Sequence, residues 1–153
     1  MLNLRIFSLS LALLLSACAS GPPKRINPPQ VAIQRLTTQT DGAFEVELRL
    51  ENQSDIAMRF ASVDLAFRIA GIDAGRLTAQ PDLEVASHSA ETVILKLVAG
   101  ADANEPLAAG RTSNAAVHYM LRGNVVISEP KREYDIQFES RLSPVPGKPG
   151  EFR

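Results

Sequence analysis

The chain has 153 residues, with 16 Lys and Arg against 17 Asp and Glu and a formal net charge of −1. This balance gives no electrostatic ground for binding nucleic acid. Apolar residues make up 45% of the chain, which excludes wholesale disorder, and the single Cys excludes a disulfide within the chain.

The N-terminus reads MLNLRIFSLSLALLLSAC, with one positive charge at Arg5, an apolar run from Ile6 to Leu15, and then small residues. Charged start, apolar middle and small-residue cut site are the layout of a secretory signal over residues 1–17. The run falls short of the ~20 apolar residues that span a bilayer. Leu15-Ser16-Ala17-Cys18 resembles the lipobox of bacterial lipoprotein precursors. That resemblance implies cleavage between Ala17 and Cys18 and a lipid on the Cys18 thiol, so that one partner of the mature chain is the membrane itself. Two or three acyl chains on one residue make a firm anchor, because each buried methylene contributes ~0.8 kcal/mol. Ala19 and Ser20 follow where inner-membrane lipoproteins of Gram-negative bacteria tend to carry Asp. The implied address is the outer membrane, facing the periplasm.

Residues 18–29 include ASGPPKRINPP, with four prolines, and read as an extended polyproline-like tether. From residue 30 to 142 the chain alternates with period two. Val31 and Ile33 open it. Phe44, Val46, Leu48 and Leu50 then alternate with Glu45, Glu47, Arg49 and Glu51, the pattern of a half-buried strand. Between Ile56 and Ala70 the phase slips. Met58 and Phe60 share one parity, and Val63, Leu65, Phe67 and Ile69 share the other, which predicts a β-bulge or bend within 60–63. Gly71 and Gly75 bracket a predicted hairpin turn. Val93, Leu95 and Leu97 mark another strand. DANEPLAAG, 102–110, is mildly helical, and Pro106 should limit it to a turn or two. Val117, Tyr119 and Leu121 face inward with His118 outward, and Tyr134, Ile136, Phe138 and Leu142 close the core. The Pro- and Gly-rich residues 143–153 are expected to be a loose tail. Short strands at this spacing predict an all-β antiparallel sandwich.

The order of PPQVAIQRL, VELRLENQSDIAMRF, VDLAFRIAGIDAG, HSAETVILKLV and a closing strand pair resembles the type 2 late-embryogenesis-abundant family. That family is also called the WHy (water stress and hypersensitive response) domain, and the resemblance covers about residues 29–142. Asn52-Gln53-Ser54 stands where the family often has Asn-Pro-Asn, matching only the first residue, and Gly71 matches a family glycine. The resemblance implies an immunoglobulin/fibronectin-III-like sandwich and a stress-related role in binding or stabilising other molecules. It brings no catalytic residues.

Side chains able to carry chemistry are sparse. His88 lies in a polar connection and His118 on a strand's outer face, and no HExxH, GxSxG or CxxC spacing is present. Asp102, Asn104 and Glu105 lack the spacing and central Gly of a calcium loop and suit turn or capping chemistry. Asn52-Gln53-Ser54 matches a glycosylation sequon, but Asn52 more simply braces a tight turn through side-chain-to-backbone bonds. Arg59, Arg68, Arg111, Arg122, Arg132 and Arg141 are spread among acids as a mixed-charge surface. The sequence therefore predicts no catalytic residue, metal or cofactor. It leaves two functional classes: a tethered protective module that contacts envelope components or stressed client proteins, or an assembly lipoprotein that docks one envelope protein.

Overall fold

The computed structural model of the protein describes residues 23–153. Ala17, Cys18, the apolar leader and the start of the tether lie outside the described residues. Two antiparallel sheets pack face to face. The first contains β1 (Gln30–Thr38), β2 (Ala43–Asn52), β6 (Ser89–Val98) and β9 (Glu151–Phe152), in the order β6-β2-β1-β9. The second contains β3 (Met58–Ile69), β4 (Ile72–Ala79), β7 (Val117–Glu129) and β8 (Arg132–Leu142), in the order β4-β3-β7-β8, with β5 (Leu83–Val85) also paired to β3. The chain changes sheet between β2 and β3, between β5 and β6, again after β6 through helix α1 (Ala101–Ser113), and finally between β8 and β9. This is the immunoglobulin/fibronectin-III-like β-sandwich, with a three-strand β1-β2-β6 sheet extended by β9 against a β4-β3-β7-β8 sheet.

The alternation places the core. Phe44, Val46, Leu48 and Leu50 of β2 are buried against Leu65, Phe67 and Ile69 of β3 and Tyr119, Leu121 and Val125 of β7. Leu95 and Phe138 are only partly buried, because β6 and β8 are edge strands. Tyr119 joins the two sheets. Its ring packs edge-on to Phe67 at 6.4 Å, and its hydroxyl accepts the Ile33 N–H at 3.1 Å. Ile33 precedes a bulge at Gln34, and the two-residue β9 reaches only Leu36 and Thr37 of β1.

The phase slip falls where the pattern places it. Phe60 pairs with Ile127 and Ser62 with Val126, leaving Ala61 unpaired, and Val63, Leu65, Phe67 and Ile69 are all buried. The bulge has a topological consequence: on β3's other side, residues 58–60 pair with β5 and residues 63–69 with β4.

Three expectations need correction. The hairpin turn is Ala70-Gly71, both at positive φ, with Ile69 opposite Ile72. Gly75 lies at a bulge in β4 with φ of 112°, and a Cβ there would come within 2.9 Å of Leu97 on the facing sheet. The helix runs 13 residues despite Pro106. Pro106 stands in its second turn, where only the bond to the Asp102 carbonyl is lost. Ala103, Leu107 and Gly110 share its buried face, and Gly110 lets the helix close on Val117, which would meet a Cβ at 2.4 Å.

The third correction is the tail. Phe152 is buried in the core and β9 pairs with β1. Ser143 and Arg153 exchange backbone bonds at 2.7 and 3.0 Å, and the Val145 N–H donates to Glu151 at 2.9 Å. Pro144 lies opposite Phe152 between those bonds, so its missing N–H leaves no gap in the ladder.

Candidate functional site

Two places gather polar groups around defined geometry. The first is the outer face of the second sheet. Asp64 of β3, Arg76 of β4, Arg122 and Asn124 of β7, and Asp135 and Gln137 of β8 line a shallow depression of about 480 Å³. Gly123 sits at its floor, and a Cβ there would come within 2.1 Å of the Asp64 carbonyl, so only glycine fits between the strands. Asp64 accepts two bonds from Arg76, at 2.6 and 2.9 Å. The Asn124 amide donates to Glu133 at 2.7 Å. Arg122 holds no ion pair among the described residues. The depression offers hydrogen-bond donors and acceptors of both charges on a rigid sheet.

The second place is the end of the sandwich where residues 25–27 meet the β2–β3 connection. Asn52 is fully buried, and its amide donates to the carbonyls of Ile56, Val85 and Ala86 at 2.8, 3.0 and 3.1 Å. Its oxygen accepts the Ser54 N–H at 2.9 Å. Every polar atom of that amide is used inside the fold, so Asn52 is a brace and its sequon is not available for modification. Ser54 is also fully buried, and its hydroxyl accepts the Asn27 N–H at 2.8 Å and donates to the Asn27 carbonyl at 3.1 Å. The Asn27 amide donates to the Gln53 carbonyl at 2.7 Å.

Next in sequence, Asp55 accepts the Arg25 N–H at 2.8 Å, and its own N–H donates to the Arg25 carbonyl at 2.9 Å. His88 reaches Asp55 at 3.0 Å from the turn before β6, where its φ is 52°. The Arg25 amide, reinforced by His88, holds the Asp55 carboxyl below its ordinary value. Burial pushes the Tyr119 phenol above its ordinary value.

The remaining sequence candidates find structural partners. His118 is exposed beside Glu139 at 3.4 Å. Each histidine thus meets a carboxylate. Asp102 sits in the first turn of α1, where it faces the positive end of the helix, and the Asn104 amide donates to the Gly42 carbonyl at 3.3 Å. Gly100, which makes no side-chain cap bond, starts that helix, and Asn114 ends it in the left-handed region. Arg59 ties β5 to β3 through Asp82 and Glu84 at 3.6 and 3.2 Å. Arg68, Arg111, Arg132 and Arg141 hold no ion pair among the described residues. Among the described residues, no three His, Cys, Asp or Glu side chains gather to hold a metal ion.

Sequence reading missed the engagement of Arg25 and Asn27 by Ser54 and Asp55. These partners lie 27 and 30 residues apart in elements without shared periodicity. The only local sign is that Asn27, Ser54 and Asp55 are short polar residues suited to backbone bonding.

No protein-family model matches the chain, and no curated protein matches its sequence. Among solved structures, a protein from Archaeoglobus fulgidus aligns at a TM-score of 0.42 and 11% identity, over 79% of this chain and 98% of its own. The solution structure of a protein from Arabidopsis thaliana aligns at a TM-score of 0.48 and 14% identity, over 86% of this chain and 87% of its own.

Proposed function

We propose that the chain is a lipid-anchored binding and protective module of the cell envelope that acts without chemistry, in the manner of the type 2 late-embryogenesis-abundant (WHy) family it resembles. In this reading a lipid on Cys18 holds it in the outer membrane, and its sandwich contacts envelope components or stressed proteins in the periplasm. The observation that carries the reading is the surface of the two sheets. Glu45, Glu47, Arg49 and Glu51 stand on one outer face, and Asp64, Arg122, Asp135 and Glu139 on the other. Such faces suit weak contacts with many partners better than one dry interface.

The anchor is tested first. Cys18→Ser should lose metabolic palmitate label and leave the membrane fraction; a variant that still labels and pellets defeats the anchoring. The role is tested by deleting the sandwich while keeping the anchor. Desiccation or osmotic survival should fall, whereas His118→Ala should leave it intact. Unchanged survival of the deletion strain defeats the protective reading.

One observation favours the alternative, docking to a single envelope protein. β6 is an open edge with Ile94 and Val98 at 61% and 88% exposure, both on its outer side. An edge strand with exposed apolar residues can accept a partner strand. Crosslinking from position 94 in intact cells separates the readings: one dominant adduct supports docking, and many weak adducts support protection.

A further inference from the structure

Residues 23–29 form a strap that crosses the end of the sandwich before β1 begins. Its side chains and its backbone are treated oppositely. Lys24, Arg25 and Ile26 are exposed. The backbone N–H and C=O of Arg25 are both held by Asp55, and those of Asn27 are both held by Ser54. Only Pro29 at the strap's end is buried. The strap is therefore fixed by bonds to the backbone of alternate residues, with no apolar side chain of residues 24–27 sunk into the fold.

A protease that cuts after basic residues needs the features that this arrangement separates. It reads Lys or Arg side chains, and it binds the peptide as an extended strand through the backbone groups of neighbouring residues. Lys24 and Arg25 offer the side chains, and Ile26 follows as a cleavable residue. Asp55 and Ser54 occupy the backbone groups. We infer that the Asp55–Ser54 clasp masks a trypsin-type cleavage site at Lys24-Arg25, and that opening of the clasp decides whether the sandwich can be cut from the segment preceding it. The cut is hydrolysis of the Arg25–Ile26 peptide bond by water, leaving a carboxylate on Arg25 and an amine on Ile26. That this cut would free the sandwich from the membrane rests on the lipid-anchored reading; the masking does not.

The site is well placed for this purpose. The scissile bond lies upstream of β1, so the sandwich loses none of its strands or core residues when it is cut. Several other basic residues are guarded differently, whereas Lys131 in the exposed β7–β8 turn is a second accessible basic site and serves as the internal reference for cutting. Arg35, Arg49, Arg59 and Arg68 lie within strands, and Lys148 is followed by Pro149.

The test uses the full chain purified from membranes in detergent, treated with a limiting amount of trypsin, with the fragments read by mass spectrometry. When opening is fast relative to cutting, cleavage follows the population of the open strap. Asp55→Ala should raise the rate of cleavage after Arg25 about tenfold or more, since a charge-assisted bond to a backbone N–H is lost. Asp55→Asn keeps an acceptor without the charge and should fall between, and His88→Ala should have the smallest effect. Amide hydrogen exchange gives a second readout, with the Arg25 and Asn27 amides protected in the parent and the Arg25 amide released in Asp55→Ala. Parent and Asp55→Ala cut at the same rate, or Arg25 and Asn27 amides exchanging in the parent as fast as in a free peptide, would overturn the inference. Faster cutting without release of the sandwich from detergent micelles would uphold the masking and defeat the anchoring.

Discussion

The two ends of the domain have the same kind of composition and are held by different physics. The strap has Pro23, Pro28 and Pro29, and the C-terminal segment has Pro144, Pro146 and Pro149 with Gly147 and Gly150. Neither can form regular structure by itself. The C-terminal segment folds back because Phe152 enters the core, Glu151 and Phe152 pair with β1, and the residues around its prolines pair with one another. The strap has no such side chain among residues 24–27 and is held by hydrogen bonds from Ser54 and Asp55, the latter on the surface. The pair teaches that proline content says little about order. What matters is whether the residues between the prolines have donors that can be met, and whether one of them can bury apolar area.

The comparison is broken most directly at Phe152. Phe152→Ala should cost about 3–5 kcal/mol, a large part of the 5–15 kcal/mol of an ordinary domain. A urea melt reads it as a marked drop in midpoint. A midpoint within error of the parent would mean that the C-terminal segment contributes nothing to the core, and the contrast with the strap would vanish. Gly150→Ala should cost less, about 1–3 kcal/mol. Its φ is 86°, and a Cβ would lie 2.7 Å from the Thr38 hydroxyl oxygen. Thermal unfolding of Gly150→Ala beside Lys148→Ala, an exposed neighbour, separates backbone strain from loss of any side chain.

The same two ends show what was legible in the sequence. Period-two alternation placed the strands, and the parity change between Phe60 and Val63 located the bulge, because burial of one face leaves a record at every second residue. The outward His118 and the bracing role of Asn52 were legible for related reasons, one from parity and one from turn chemistry. The tail was not legible, since a two-residue strand carries no periodicity and the burial of Phe152 depends on a partner more than 100 residues away. The full length of the helix is not legible either, because Pro106 argues for a turn or two while the Ala103, Leu107 and Gly110 stripe is stabilised by packing against the sandwich that only the tertiary structure supplies. Of the candidate sites, Cys18 lies outside the described residues and rests on its local sequence context alone. The clasp is not legible, because hydrogen bonds from short polar side chains to the backbone of a segment about thirty residues away leave no pattern in sequence.

The smallest expected effect is on pH dependence, and it sets the two ends apart most sharply. Asp55 titrates below its ordinary value because the Arg25 N–H, and then His88, favour the carboxylate. In an open strap it regains the ordinary Asp value of about 3.9. A depressed value in the clasped state means that the clasp gains stability at all pH values above the open-state value. That gain is lost as pH falls through the lower, clasped value. Protection of the Arg25 amide should therefore be flat from neutral pH down to about 5, then decline in more acid solution. The contacts of Phe152 are apolar and backbone in kind, and no proton is taken up when they break. Protection of the Phe152 neighbours Glu151 and Arg153 should persist after that of Arg25 has gone. NMR amide exchange across this pH range reads both ends in one sample. Simultaneous loss at Arg25 and Arg153 would show that both ends yield to global unfolding, and that Asp55 does not control the strap.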